Sequence, residues 1–257
     1  MLPTLFHIGP LPLHSFGLMM VLCFVSAWRR FYLSLEAANK RAELAERIIT
    51  WAAVGGIIGA RLGYLVSFPS ELLSHPITTL FGSAGFVYHW GFVGGVLSTY
   101  LLLAREKEDF MSYADLAGPA LAIGYGVGRI GCQLSGDGDY GMPSTLPWAM
   151  AYSTGVVPTP PGMLVHPTPI YETIGAFFVA AILLSPRVKS LFHKKGQMFG
   201  LYLLMSAVLR FLVEMVRIEP VVFPPFTQAQ VMSIGLSAFA FLLLFCRLPL
   251  AQQSVRE

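Results

Sequence analysis

Gln228–Cys246 reads QAQVMSIGLSAFAFLLLFC, nineteen residues without one Asp, Glu, Lys, Arg or His. As a helix rising about 1.5 Å per residue it would be about 28 Å long, close to the roughly 30 Å of a bilayer's hydrocarbon core. A helix is also the form in which such a segment satisfies its backbone without water. Six further stretches can be drawn the same way: Leu11–Trp28, Ile48–Phe68, Phe86–Leu103, Tyr113–Leu134, Thr168–Pro186 and Met198–Val216. The composition agrees, with 55% hydrophobic and 12% charged residues and a mean hydropathy of +0.64, whereas globular domains carry roughly 25% charged residues. The expected fold class is all-α: a polytopic membrane protein of about seven transmembrane helices, with residues 1–257 as a single integral membrane domain.

Charge sets the expected orientation, because loops retained in the cytoplasm carry the Lys/Arg excess. Thirteen of the 17 Lys and Arg residues fall in the first, third and fifth connections and the C-terminal tail: Arg29, Arg30, Lys40, Arg41 and Arg47; Arg105 and Lys107; Arg187, Lys189, Lys194 and Lys195; Arg247 and Arg256. The N-terminal segment, the Pro69 to Tyr88 loop and the Ser135 to Pro167 loop contain none. The N-terminus is expected outside and the C-terminus in the cytoplasm. Met1–Pro10 lacks a basic n-region and no small-residue cleavage signal follows, so the first span is expected to stay in place. The net charge of +3 is accounted for by topology and gives no reason to expect nucleic acid. Charges between Leu35 and Arg47 can pair at helical i,i+3 and i,i+4 spacing, and a solvated face explains them fully.

The other four cations, Arg61, Arg129, Arg210 and Arg217, lie in or at the ends of apolar stretches. A cation at bilayer depth costs roughly 2.5–3.5 kcal/mol on insertion scales, so it faces a partner, a cavity or an anion. Under the expected topology all four gather toward the outer leaflet, at the depth of a lipid phosphate. A snorkelling or paired structural arginine is the bland alternative for each. Gly128-Arg129-Ile130-Gly131-Cys132-Gln133-Leu134-Ser135-Gly136-Asp137-Gly138-Asp139-Tyr140-Gly141 is the strongest local motif. Its glycines let backbone approach closely and let the chain leave a helix, while Asp137 and Asp139 add acceptors at the surface. In Arg210-Phe211-Leu212-Val213-Glu214-Met215-Val216-Arg217 the charged residues fall at i, i+4 and i+7, so Glu214 can orient either arginine. A structural ion-pair ladder explains the same spacing, since buried charges must be paired in any case.

Asp137-Gly138-Asp139 has the opening spacing of a calcium loop but lacks the later ligands and terminal Glu, so no metal is assigned. Cys23, Cys132 and Cys246 lie in or beside apolar spans, at a spacing that fits neither a disulfide framework nor a zinc site. His89 opens the third span, His166 precedes Pro167 at the start of the fifth and His14 lies in the first; an interfacial or hydrogen-bonded structural role is the simplest reading of each alone. The outer loop at about 135–167 exceeds the length a mere connector needs and carries Trp148 and Tyr152. No internal repeat is evident, which argues against a transporter built of inverted halves.

With these residues in view, the chain resembles the bacterial prolipoprotein diacylglyceryl transferases. The resemblance rests on Gly128–Gly141 and on further pieces in the same order: Ile8-Gly9-Pro10 with His14 and Gly17-Leu18-Met19; Gly59-Ala60-Arg61-Leu62-Gly63-Tyr64; His166-Pro167-Thr168-Pro169-Ile170-Tyr171-Glu172; Arg210-Phe211 to Glu214; and Gln230. It implies an inner-membrane enzyme that moves the diacylglyceryl group of phosphatidylglycerol onto the lipobox cysteine of a preprolipoprotein signal peptide, with its active site toward the outer leaflet and no cofactor. Arg129 and Arg210 match the essential arginines; the substrate-binding set is Arg61, Gly128, Gly131, Gly136, Asp137, Asp139, His166, Glu172, Glu214 and Arg217. Negative charge growing on a departing phosphate suits preorganised guanidinium groups.

Three positions depart from the pattern. Val93 precedes Gly94-Gly95 where the family has a histidine proposed as base; Cys132 replaces an Asn; Phe16 replaces a Tyr. His89, one helical turn before Val93, is expected to take over proton removal, with His166 or an outer-loop Asp as alternatives. A thiolate formed beside arginines without any protein base is a further one. Two rival functions remain: a non-catalytic lipid-binding paralogue, consistent with Val93, and an anion transporter, disfavoured because the inner halves of the spans are nearly uncharged apart from Asp115.

Overall fold

The computed structural model describes residues 1–69, 74 and 87–245. Most of them are helical: α1 Ser15–Ala37, α2 Leu44–Ser67, α3 Tyr88–Arg105, α4 Phe110–Ser135, α5 Thr168–Leu184, the single turn α6 Pro186–Lys189, α7 Gln197–Glu214 and α8 Gln228–Phe245. Four of them, α1, α2, α7 and α8, are long and apolar enough to cross a membrane, and α5 is a shorter apolar helix. Around an interior that is itself largely apolar, the helices also turn large aliphatic groups outward and enclose a carboxylate. Ile57 and Val66 of α2 are 62% and 73% exposed while Glu172 of α5 is 0% exposed. Large aliphatic groups facing outward and charges facing inward are what a lipid solvent selects.

The expected span limits shift in three places. Leu11–His14 is not helical: it forms strand β2, paired antiparallel with β1, Thr4–Ile8, around a turn in which Gly9 takes φ 59°. Gly9-Pro10 and Pro12 oppose a helix there, so α1 begins at Ser15 and His14 precedes the span. Second, α7 ends at Glu214, and Arg217 lies beyond it, its N–H 3.3 Å from the Glu214 carbonyl. A second hairpin, β3 Val221–Phe223 with β4 Phe226–Thr227, then leads into α8. Third, α1 runs on past the expected Trp28 to Ala37, and the Leu35–Arg47 charges do not lie on one helix. The chain turns between α1 and α2 with Asn39 at positive φ, and its charges pair mainly with the turn after α3: Arg41 and Arg47 with Glu106 at 2.8 and 2.7 Å, Lys40 with Glu108 at 4.0 Å. Most of the Pro69–Tyr88 loop, the Phe86 start of the third span, Cys246 and the tail arginines Arg247 and Arg256 lie outside the described residues.

Two compact units are distinguished, Tyr32–Tyr113 and Met1–Phe31 with Ala114–Glu257. The first is built on α2 against α3. Gly55 and Gly59 of α2 meet Gly94 of α3 so closely that a Cβ on Gly94 would lie 2.3 Å from the Gly55 carbonyl oxygen. Such contact brings two backbones together with no side chain between them, as small residues allow within membranes.

In the second unit, Ala122 of α4 and Val179, Ala180 and Leu183 of α5 form an apolar cluster with Tyr202 and Met205 of α7. Asp115, the charge noted in the inner half of the fourth span, caps α7: its carboxylate accepts from the N–H groups of Gly196 and Phe199 at 2.7 and 2.8 Å. That places a negative charge at the positive end of the helix. At the opposite end of α4 the 135–167 loop is tied down. Val156 and Val157 donate to Ser135 and Gly136, Val165 exchanges hydrogen bonds with Met150, and Met142 donates to the Val216 carbonyl. Tyr152 is buried and its hydroxyl donates to Gln133 at 2.7 Å.

Candidate functional site

Glu172, one turn into α5, has a fully buried side chain. Its Oε1 accepts from the Tyr125 hydroxyl at 2.6 Å and from Arg210 Nη1 at 2.8 Å. Its Oε2 lies 2.9 Å from Arg129 Nε, a charge contact rather than an aligned hydrogen bond, because that N–H is directed at the Tyr125 oxygen at 3.1 Å. Tyr125 and Arg129 are four residues apart on α4, as are Arg210 and Glu214 on α7, so each pair shares a helix face. Arg210 Nη2 is 2.9 Å from Glu214 Oε2, and Glu214 Oε1 accepts from the Thr227 hydroxyl at 2.8 Å. Arg217 Nε is 3.7 Å from the same Glu214 Oε2. Nη2 of Arg217 donates at 2.8 Å to both Asp139 Oδ1 and Glu219 Oε1. The second oxygen of Asp139 meets Arg129 Nη1 and closes the circuit.

Three guanidinium groups and three carboxylates therefore alternate around a closed ring: Arg129, Asp139, Arg217, Glu214, Arg210 and Glu172. Side-chain exposure distinguishes its members. Arg210 is 27% and Arg129 16% open, against 6% for Arg217, so the first two keep an accessible cationic edge and the third is enclosed. Among the carboxylates Asp139 is 31% exposed and Glu214 only 1%.

The turn after α4 delivers Asp139. Gly136 and Gly138 have φ of 61° and 98°, values that favour glycine, and Asp137 Oδ1 accepts from the Asp139 N–H at 3.3 Å. Thr168 donates its hydroxyl to the Asp139 carbonyl. Gly141 must be bare, since a Cβ would sit 2.3 Å from the Val216 carbonyl oxygen. Burial pushes the Asp139 carboxyl up, but the hydrogen bond from Arg217 and the charges of Arg129 and Arg217 outweigh it and hold its pKa below the ordinary aspartate value. Burial likewise works against the charge on Arg217, and hydrogen bonds to Asp139 and Glu219 more than offset it.

Of the residues singled out in the sequence, Arg129, Arg210, Arg217, Asp139, Glu172 and Glu214 meet in this ring. Asp137 shapes the turn beside it. Gly128 and Gly131 turn their bare sides to α1, toward Cys23 and Met19 respectively, so the close approach they permit there is between helices. Cys132 Sγ lies 3.7 Å from Arg129 Nη1, and the ligand atoms of Cys132, Asp137 and Asp139 fall within 4.8 Å of one another. Asp139 is already committed to two arginines there. Arg61 and His89 belong to the other unit: Arg61 is half-buried on α2, its guanidinium 5.9 Å from the Tyr64 ring centre. His89 is exposed in the first turn of α3, which also carries Val93. Tyr125 escaped the sequence reading, although its i−4 spacing from Arg129 was a usable signal.

Beside the ring lies an open cleft of about 390 Å³ between the 135–167 loop, the start of α5 and the end of α7. His166 lines it, with Nδ1 3.2 Å from the Tyr171 hydroxyl, which in turn accepts from Trp148 Nε1 at 2.7 Å.

Residues 3–246 match the sequence model of a family described as prolipoprotein diacylglyceryl transferase. Among curated relatives, a phosphatidylglycerol–prolipoprotein diacylglyceryl transferase of Clostridium tetani is 32% identical over 86% of this chain and 87% of its own length. Proteins of the same name from Methylococcus capsulatus and Bordetella avium are each 31% identical, over 94% and 85% of this chain and 94% and 82% of their own.

Proposed function

The chain belongs to the prolipoprotein diacylglyceryl transferase family, and from that premise we propose that it transfers the diacylglyceryl group of phosphatidylglycerol to the cysteine thiol of a prolipoprotein. A carbon–sulfur bond forms at the glycerol carbon as its bond to the phosphate oxygen breaks; glycerol phosphate leaves and the thiol proton passes to a base. Charge that was shared across the diester becomes concentrated on the leaving phosphate. Fixed cationic donors aimed at that oxygen stabilise the transition state more than the ground state.

The observation that carries this reading is the alternating ring with Arg129 and Arg210 at its open edge. Each is held in place by carboxylates, so little reorganisation is needed when phosphate charge develops. We assign Arg129 and Arg210 to the phosphate, Glu172, Glu214, Asp139 and Arg217 to positioning them, and Arg61 with the Gly128–Asp139 turn to the remaining substrate contacts. His89 is the proposed proton acceptor, standing one turn from Val93 on α3. The proposed setting is the bacterial inner membrane, crossed seven times, with the N-terminus and active site outward and the C-terminus cytoplasmic. The hydrogen bond from the Leu2 N–H to Leu134 at the end of α4, 2.8 Å, supports the N-terminal segment and the outer loop sharing one side.

The test is transfer in vesicles of phosphatidylglycerol with a lipobox peptide, read by the mass gained at cysteine. Arg129→Lys and Arg210→Lys are each expected to lower turnover at least tenfold, roughly 1.4 kcal/mol of barrier, because an ammonium cannot present the guanidinium's two-pronged donor edge. Either variant working like the parent at equal protein level would remove that residue from the phosphate. Val93 in place of a basic residue favours a second reading, a lipid-binding paralogue without turnover, which binds phosphatidylglycerol and leaves the peptide unmodified.

A further inference from the structure

Tyr125 of α4 meets the ring with a hydroxyl that has one proton to give, and that proton orders its contacts. Arg129 Nε can only donate, so the Tyr125 oxygen accepts from it at 3.1 Å. The phenol's own proton then goes to Glu172 Oε1, 2.6 Å away, an oxygen that also accepts from Arg210 Nη1 at 2.8 Å. One phenol and one carboxylate oxygen therefore join the two arginines assigned to the phosphate. Packing of α4 against α5 sets this register. Next to Tyr125, Gly126 lies so near α5 that a Cβ on it would meet Phe177 Cε1 at 2.8 Å; next to Glu172, Thr173 donates its hydroxyl to the Gly126 carbonyl at 3.2 Å.

We propose that Tyr125 is a positioning residue of the transfer reaction, a neutral spacer that keeps Arg129 from closing on Glu172 and so leaves Arg129 Nη2 for the phosphate. The proposal rests on the transferase reading and adds a residue to its machinery. Glu172 Oε2 is 2.9 Å from Arg129 Nε yet receives no hydrogen bond among the described residues. A carboxylate oxygen with unused capacity thus stands beside a guanidinium whose Nε–H is turned to the phenol. Pairing of the two ions is the stronger contact, and without the hydroxyl the Nε–H would swing to it. Arg129 Nη1 is taken up by Asp139 and Cys132 Sγ. Among the described contacts that leaves Nη2, whose direction is fixed once Nε and Nη1 are held, because a guanidinium is planar. Charge growing on the leaving phosphate is then met by a donor that needs no reorientation. Tyr125 is 39% exposed, and the guanidinium carbon of Arg129 lies 5.1 Å from its ring centre. Phenylalanine would keep that ring contact and remove only the hydroxyl's two hydrogen bonds.

The experiment uses the full chain in phosphatidylglycerol vesicles with a lipobox peptide and places Tyr125→Phe and Arg129→Lys in a double-mutant cycle. Transfer kinetics are measured alongside direct binding of glycerol phosphate to the detergent-solubilised protein, because that molecule carries the charge the leaving group gains. Tyr125→Phe should lower kcat and weaken glycerol phosphate binding about tenfold each, the scale on which a partner that orients a working group acts. KM for phosphatidylglycerol should stay within about threefold. In the Arg129→Lys background the same substitution should change either quantity by less than about twofold, since the guanidinium that the phenol holds is gone. The pH dependence of kcat/KM should keep its shape. Tyr125→Phe matching the parent would overturn the proposal, as would a full tenfold loss in the Lys background, which would mean that the hydroxyl acts through Glu172 or through packing. So would a limb missing from the pH profile of Tyr125→Phe, the behaviour of a proton acceptor, or loss of the variant from the membrane, the behaviour of a structural support. If the parent transfers nothing, the transferase reading fails by itself; the binding cycle still decides, with coupling to Arg129 upholding the positioning role and additive losses, or no binding, overturning it.

Discussion

Glu172 shows how the site can be both stable and poised. A carboxylate with no exposed side-chain surface is tolerable because Arg129, Arg210 and Tyr125 surround it, and removing one partner of such a buried set typically costs about 3–5 kcal/mol through the charge left behind. Asp139 is the contrasting member, partly exposed and borne on a loop. Its folded pKa is lowered, so the stability it contributes is fully present above the ordinary aspartate pKa of about 3.9 and is lost as pH falls through the folded value. The melting temperature of the detergent-solubilised parent should thus fall more steeply between about pH 5 and pH 2 than that of Asp139→Asn, and the two curves should converge in acid; parallel curves would show that Asp139 contributes nothing through its charge. At this scale the sequence was informative wherever charge was out of place. Arg129, Arg210, Glu214 and Arg217 announced themselves because cations and carboxylates in apolar stretches need a reason. Tyr125 did not, since a tyrosine in an apolar helix raises no such question, and the bridging role of Glu172 needed the meeting of three helices to appear.

Among the elements, α2 and α3 illustrate what a residue list leaves out. Gly55, Gly59, Gly94 and Gly95 could be read as flexibility; the structure uses several of them as contact surface. A Cβ on Gly94 would meet the Gly55 carbonyl oxygen at 2.3 Å and the Gly59 Cα at 2.9 Å, both backbone atoms, while one on Gly56 would meet only the Gly91 carbonyl oxygen at an ordinary 3.5 Å. Gly94→Val is expected to destabilise the α2–α3 pair by about 1–3 kcal/mol or more, seen as a lower melting temperature and faster proteolysis of this unit. Gly56→Ala should be neutral or slightly stabilising, because helical Gly gives way to Ala at a gain of up to about 1 kcal/mol. Equal behaviour of the two variants would remove the close crossing. The element limits that hydropathy misplaced have the same origin: it reports apolarity, not geometry. Leu11–His14 is apolar enough to extend a helix, yet Pro12 and the preceding Pro10 put it in a hairpin, and α7 stops at Glu214 although Met215 and Val216 continue the apolar run.

For the molecule as a whole, the asymmetry of Lys and Arg is the clearest message in the chain. It predicts that a periplasm-dependent reporter fused after Val157 in the outer loop is active and one fused after Lys194 inactive, the rule being statistical in origin but electrostatic in cause. Reversed activities would invert the whole assignment, including the side on which the ring opens. Membrane character was legible because it depends on totals, which composition and patterning report directly. The partnership of the loop with the segment after α7 was not, since Gly141, Met142 and Val216 meet through backbone groups that every sequence possesses.

The ring has one further consequence. Its three guanidinium groups are matched by three carboxylates in the ring, with Glu219 as a fourth on Arg217, so an arriving phosphate exchanges with a resident anion rather than adding to a bare cationic patch. Asp139, the most exposed carboxylate of the ring and the one carried by a loop, is the natural member to yield. The same carboxylate then competes with glycerol phosphate once the bond has broken, acting as a built-in ejector of product. Asp139→Asn should consequently turn over a first equivalent and then stall, with added glycerol phosphate inhibiting it more strongly than the parent; equal inhibition of the two would show that release is governed elsewhere.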